Sequence, residues 1–457
     1  MSFEHLSLAS SSDYIELRQH ESRNSFMMLV DGNLIENKTQ HDAGLSARVF
    51  QQGYWGFASA ADLGAATAER LTNKAFANAK ALSIFGDRPS LSLPQSSYQG
   101  EHHVMGKTEL SRQERSEWLN EMHQLCAKRY PKLVSSQFML GDEYHRKFLS
   151  NSVGSQIHSS MHRAECITVF TAEGKDGQPI ELHDWISGKG GFADLDMSMA
   201  TMEQRFEQLY QHLMAKCDAV PVAGGKHTVV MASELTGLLA HEAMGHPCEA
   251  DIVLGGAITS ELLQQPVASE LITMVDFAHS YAGQETLVPV YADDEGTPAT
   301  DAILIDQGVL TGYMHSRESS AQMDMAATGN ARAANCSDEP LIRMRNTAIL
   351  PGKDKYAQMI SEIESGYLLL DSANGQADST SEFMFGICLG YEIKNGKLGR
   401  AIKDTTVSGS AIEVLKSVDA VSDEMTWECK GHCGKKQWIV VSAGGPAIRA
   451  TAHLGGE

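Results

Sequence analysis

Apolar and polar positions divide the chain into segments of different period. Residues 25–34 (SFMMLVDGNL) run apolar and then turn at Asp31-Gly32, a strong hairpin signal. Residues 47–58 (ARVFQQGYWGFA) predict a second hairpin with Gln52-Gly53 at its bend. Residues 61–82, rich in Ala, Leu, Lys and Glu with apolar positions at helical spacing, predict a helix. Gly86, Pro89, Pro94 and several serines make about 86–110 a linker. A helix is predicted over about 111–130, closed by Pro131. Two strands follow, SSQFMLGDEYHRKFLSNS and SQIHSSMHRAECITVFTAEG, joined near Val153-Gly154, and then a helix over 192–216.

The pattern changes after residues 219–225 (AVPVAGG). Short β-like runs take over, among them HTVVMA, ILIDQGVLTGYMH, GYLLLD, LGYEIKNGKLG and QWIVVSAG, with turn pairs at Gln307-Gly308 and Asn395-Gly396. The expected class is therefore α+β. Residues 1–220 form an N-terminal two-layer α+β domain of two subdomains, and residues 221–457 a C-terminal β-rich domain with a few inserted helices.

Composition narrows the function. The 457 residues suffice for two or three cores, and a 21% charged fraction is ordinary for a globular protein. The formal net charge of -21 repels phosphate backbones and anionic membrane surfaces, so neither nucleic acid nor membrane is an expected partner. No apolar stretch approaches the roughly 20 residues of a membrane span. The polar start, MSFEHLSLASSSDYIELRQ, lacks the pattern of a secretory signal, and the eight cysteines are scattered. Reduced thiols and a cytoplasmic location are expected.

The candidate chemistry lies in residues 233–251, SELTGLLAHEAMGHPCEAD. Ser233 is the expected N-cap, Glu234 suits the positive end of the helix dipole, and Leu235, Leu238 and Leu239 give an apolar face. The helix carries His241, Glu242 and His246. Two imidazoles with an adjacent carboxylate is the arrangement of zinc peptidases, in which the imidazoles bind Zn²⁺ and the carboxylate takes a proton from water acidified by the metal. Yet positions five apart stand about 140° apart on a regular helix, at roughly 100° per residue. Gly245 and Pro247 flank His246, and a π-type turn brings such positions onto one face. A local widening between His241 and His246 is therefore expected. The bland alternative is a helix with a satisfied His and an exposed Glu. The third donor is left open among His227, Cys248, Cys429, His432, Cys433 and His453, with Cys248 too near to reach around the metal easily. The segment WECKGHCGKK concentrates three of these around Gly431 and Gly434, and a thiolate at a Gly-flanked turn approaches a metal closely.

HEAMGHPCEAD, DDEGTP, ATGNARA, LPGK, GQADSTSEFMFG and CGKK, in this order, together with the earlier HDAGLSARVFQQGYWGFASAADL, resemble the TldD/PmbA family of metallopeptidases across nearly the whole chain. The resemblance implies an HExxxH zinc site with His241 and His246 as ligands, Glu242 as general base and Cys433 as third ligand, and water in the fourth position. It implies a dimer with an identical or related subunit around a shared cavity, acting on unfolded peptides or modified-peptide precursors. Family partner subunits lack HExxxH, whereas this chain keeps it. Pro247-Cys248 and the KQW after CGK depart from the family's usual residues.

Other residues have two readings. Glu249 and Asp251 either orient a ligand His or end a solvated helix. Asp293, Asp294 and Glu295 read as an acidic turn, because no EF-hand ligand spacing follows. Thr328, Asn330 and Arg332 line a peptide groove by resemblance, or form an ordinary turn. His432 and Arg332 are the candidate oxyanion donors, and an exposed strand of the β-rich domain is the expected peptide-holding edge.

Overall fold

The structure is a computed structural model that describes residues 13–456 apart from 87, 89, 90, 108 and 431. The first twelve residues of the polar start, Pro89 and Gly431 thus lie outside the described residues.

The N-terminal part is built on one antiparallel core of long strands. β1 (Tyr14–Val30), β2 (Asn33–Gln51) and β3 (Tyr54–Ala60) are joined by two tight turns. Asp31-Gly32 and Gln52-Gly53 take positive φ at both positions, as two-residue hairpins on twisted strands require. α1 (Ala65–Leu82) packs its Ala68, Leu71 and Ala75 face on β1, β2 and β3.

Next come β4 (Gln99–Val104), α2 (Arg112–Arg129), β5 (Leu133–Asn151), β6 (Gln156–Glu173), β7 (Pro179–Lys189) and α3 (Met199–Lys216). All seven strands share one sheet, in the order β3-β2-β1-β5-β6-β4 with β7 also on β6. α2 starts at a reciprocal cap between Ser111 and Glu114. It packs with α3 on the sheet, where Leu119 and Met122 meet Phe138, Phe170 and Phe206.

Two expectations change here. The stretch of about 86–110 holds β4, which pairs in parallel with β6, so the two N-terminal segments share a sheet rather than meeting across a plain linker. The helix expected over 192–216 begins only at Met199, after a short 3₁₀ turn and a stop at Ser198, whose hydroxyl accepts from the Thr201 N–H.

Beyond residue 220 strands outnumber helices, giving the α+β class expected. β8 (Gly225–Met231) pairs in parallel with Ser365–Ala377 and antiparallel with Ser442–Leu454. Glu382–Lys394 and Thr405–Ser410 complete a closed ring of five strands with these three. A ring leaves no unpaired flank along its paired stretches. β8 leads directly into α4 (Ser233–Leu238). Leu235, Leu239 and Ala243 then pack in one core with Met231, Phe385, Ile448 and Ala450 of the ring.

The two parts meet through the acidic turn at residues 293–296. Tyr14 donates to the Glu295 carbonyl at 2.7 Å, Arg48 pairs with the Glu295 carboxylate at 2.6 Å and Lys147 with Asp294 at 2.7 Å. Asp293 folds back to accept from the Glu295 and Thr297 N–H groups. The DDEGTP motif is therefore a turn, as read, and also the anchor of the N-terminal sheet.

Candidate metal centre

The segment after β8 begins as helix α4 with Ala232, not Ser233, in the capping position and no side-chain cap. Glu234 sits in the first turn, and its carboxylate accepts from Lys430 at 2.6 Å. From Leu239 to Gly245 the coil widens to a π-helix, and the His246 N–H donates to the His241 carbonyl five residues back. A 3₁₀ turn over His246–Cys248 follows, with Pro247 inside it. The widening stands where the five-residue spacing demanded it. Gly245 fixes its packing, since a Cβ there would lie 2.2 Å from the Met344 sulfur. The rings of His241 and His246 come to 5.1 Å between centroids, at 81° to each other.

Cys433 arrives from a short hairpin, His432–Lys435 against Gln437–Val440. Its sulfur lies 3.2 Å from His246 Nε2. One donor atom from each of His241, His246 and Cys433 lies within 4.8 Å of the others. Glu242 faces the same space, with Oε1 4.0 Å from His241 Nε2 and Oε2 3.8 Å from His246 Nε2.

Burial pushes the Cys433 thiol up, but the two imidazoles outweigh it and bring the group down to about 4. Burial pushes His246 down, yet the Cys433 sulfur and the Glu249 carboxylate raise it to about 10. His241 is raised as well, by Cys433 and Glu242 against its burial. In the metal-free cluster the thiolate and the two imidazoles thus favour each other's charged forms, and a divalent cation would compete with the protons of the imidazoles.

The donors fit zinc. Tetrahedral zinc with His and Cys ligands spaces its ligand atoms roughly 3.5 Å apart, and the three donors here lie within 4.8 Å of one another, with one pair at 3.2 Å. His241 Nδ1 is buried with no hydrogen-bond partner, so that ring is not spent on a structural contact.

Glu249 is fully buried, and its Oε2 lies 3.2 Å from His246 Nδ1 and 2.9 Å from Lys435 Nζ. It orients the imidazole, one of its two expected roles. Asp251 is exposed and pairs with Lys435 at 2.7 Å. The first Lys of CGKK thereby joins the Cys433 hairpin to the end of the His-bearing coil. The sequence motif contained Lys435, but its role needed the fold.

The other candidate donors stand elsewhere. Cys248 is buried in the core, where burial pushes its thiol up. His227 donates through Nε2 to the Ala223 carbonyl, and His453 lies on the ring strand opposite Lys226. Cys429 meets Arg163 and His432 meets Glu143.

A cleft of about 1110 Å³ opens at the cluster, between β7 with its neighbours and the C-terminal ring. His241, Glu242, His432 and Cys433 line one wall, and Ile180, Leu182 and Trp185 line the other. Thr328, Asn330 and Arg332 are not in it. Asn330 is buried and donates to Asp276 at 2.8 Å, and Arg332 donates to the Met344 and Val440 carbonyls. Thr328 bonds Asn330 and His315. Asn330 and Arg332 are buried and Thr328 is half-buried, none of the three lines this cleft, and Arg332 is not placed to meet an oxyanion in it.

Residues 224–454 match the family described as PmbA/TldA metallopeptidase C-terminal domain, and residues 15–79 match PmbA/TldA metallopeptidase domain 1. A metalloprotease of Methanothermobacter thermautotrophicus is 30% identical over 97% of this chain and 96% of its own. A zinc metalloprotease TldD homolog of Saccharolobus solfataricus is 28% identical over 73% and 74% of the two chains. The crystal structure of TldE from Thermococcus kodakarensis superposes with a TM-score of 0.75 at 17% identity, covering 97% of each chain, which is a likeness of fold.

Proposed function

Because this chain belongs to the PmbA/TldD family of metallopeptidases, we propose that it is a zinc-dependent peptidase with His241, His246 and Cys433 as metal ligands and Glu242 as general base. The observation that carries this reading is the convergence of three donors and one carboxylate on the wall of a cleft, across a π turn that a regular helix would not provide. A bound zinc ion supplies Lewis acidity, polarising a scissile carbonyl and acidifying water. Glu242 takes a proton from the attacking water and delivers it to the leaving nitrogen. Glu249 keeps the His246 ring turned toward the metal by accepting at Nδ1, and Lys435 holds Glu249 in place.

The cleft of about 1110 Å³ beside the cluster has room for a peptide segment, and unfolded peptides or modified-peptide precursors are the proposed substrates. Dimerisation with an identical or related subunit, and a cytoplasmic setting, belong to the same proposal. Among the described residues no helix is long and apolar enough to cross a membrane. The net charge of -21 supports no nucleic-acid partner.

The test uses Glu242→Gln and Cys433→Ser. Glu242→Gln keeps its zinc and cleaves an unfolded peptide about 10²–10⁴-fold more slowly, whereas Cys433→Ser loses zinc. Undiminished cleavage by Glu242→Gln removes the mechanism. A zinc-loaded wild type that cleaves no peptide instead points to a non-catalytic, peptide-binding subunit.

A further inference from the structure

The donor sulfur depends on a loop that the C-terminal part does not hold alone. Ser442 donates to the Glu428 carbonyl before the loop, and Arg343 donates to the Cys433 carbonyl after it. Between these points Lys430 is tied by its side chain to Glu234. The backbone there is gripped from the other side of the cleft. Arg163 of β6 donates through Nη2 to the Cys429 carbonyl and through Nε to the Cys429 sulfur at 3.2 Å. Ser187 of β7 donates to the same carbonyl at 2.9 Å. Glu143 of β5 meets His432, the residue before the donor, at 3.3 Å.

Arg163 is well suited to this task. Its side chain is 4% exposed, and Glu165 at 2.8 Å and Glu143 at 3.8 Å fix the guanidinium from the sheet side. A planar fork so held presents its donors in one direction only. The carbonyl it grips lies four residues before Cys433.

We propose that Arg163, assisted by Ser187, is a positioning residue for the Cys433 thiolate, so that the N-terminal sheet sets the geometry of a metal site whose three ligands all come from the C-terminal part. This rests on the zinc-site reading above. It gives the N-terminal sheet a part in metal affinity in addition to its part as a wall of the cleft.

Cobalt(II) makes the sulfur visible, because a thiolate bound to cobalt gives a ligand-to-metal charge-transfer band that imidazole and carboxylate do not. Full-length wild type, Arg163→Met, Arg163→Lys and Ser187→Ala are loaded with cobalt and titrated for zinc affinity against a chelator. Arg163→Met is expected to weaken zinc binding roughly ten-fold, the scale found for groups that orient metal ligands, and to diminish the thiolate band. Arg163→Lys, which can still reach the carbonyl, recovers part of both. Circular dichroism of each metal-free variant verifies the fold.

If Arg163→Met does not fold, Ser187→Ala carries the test, since it removes a donor to the same carbonyl without stranding a buried charge. Wild-type affinity and an unchanged band in whichever of these variants is folded overturn the proposal and leave the zinc site intact. A wild type with no thiolate–cobalt band overturns both the site and this inference.

Discussion

Two polar clusters in the C-terminal half, each gathered around a carboxylate, are satisfied to opposite degrees. Around Asp276 every contact is a completed pair. Its carboxylate accepts from the Arg345 and Asn346 N–H groups, Arg345 Nε, Thr347 Oγ1 and Asn330 Nδ2 at 2.8–3.1 Å, and both members of the Asp276–Arg345 pair are fully buried. Around Glu242 the pairing is incomplete. His241 Nδ1 and Glu249 Oε1 are buried without partners, while His246 and Cys433 are pulled far from their ordinary protonation ranges in opposite senses. A satisfied buried network holds strands together. Donors that crowd one another beside a cleft have an outstanding demand, which a metal ion would meet.

The comparison breaks most visibly at Asp276. Asp276→Ala leaves the Arg345 guanidinium buried without its counter-charge and is expected to cost about 3–5 kcal/mol of stability, read by denaturant unfolding of the metal-free protein. A loss below about 1 kcal/mol would remove the contrast drawn here.

A smaller effect is expected on the other side. Glu249→Gln weakens the hold on His246 and lowers zinc affinity roughly 10–100-fold with little change in metal-free unfolding. Equal losses in the two measurements would make Glu249 a structural residue like Asp276.

The smallest effect is the pH linkage. A proton held by His246 up to about pH 10 competes with zinc, so affinity rises with pH below that value, by at most about ten-fold per unit for each proton displaced. Cys433, already ionised above about pH 4, adds nothing to that slope near neutrality. Calorimetry in buffers of different ionisation enthalpy counts the protons released, and an affinity flat between pH 7 and 9 would contradict the assignment.

What the sequence revealed follows the range of the interactions involved. The π turn was legible because its causes are local: the five-residue spacing, Gly245 and Pro247 all lie within about two turns of chain. Hairpins at Asp31-Gly32 and Gln52-Gly53 were legible for the same reason. Residue chemistry alone left six candidates for the third donor, and only the family resemblance singled out Cys433, 187 positions beyond His246.

Asn330 and Arg332 were misread because a polar motif at a turn carries no sign of which way it faces. The partner that claims Asn330, Asp276, is 54 residues away. β4 went unseen because a short strand of polar and half-buried residues has almost no apolar period, and its pairing partner β6 begins long after it. Arg163 gave no local signal at all, since its contact with Cys429 spans 266 positions.

The distance along the chain between His246 and Cys433 also matters while the protein is being made. A ribosome that has released the two imidazoles must add 187 more residues before the sulfur exists, and the strand at Ser442–Leu454 that closes the ring is later still. Two neutral side chains grip zinc far less firmly than a set that includes a thiolate. On the proposed ligand set, a copy that has not yet reached Cys433 therefore carries no finished blade among the unfolded nascent chains around it, and cutting power arrives only after that residue has been made.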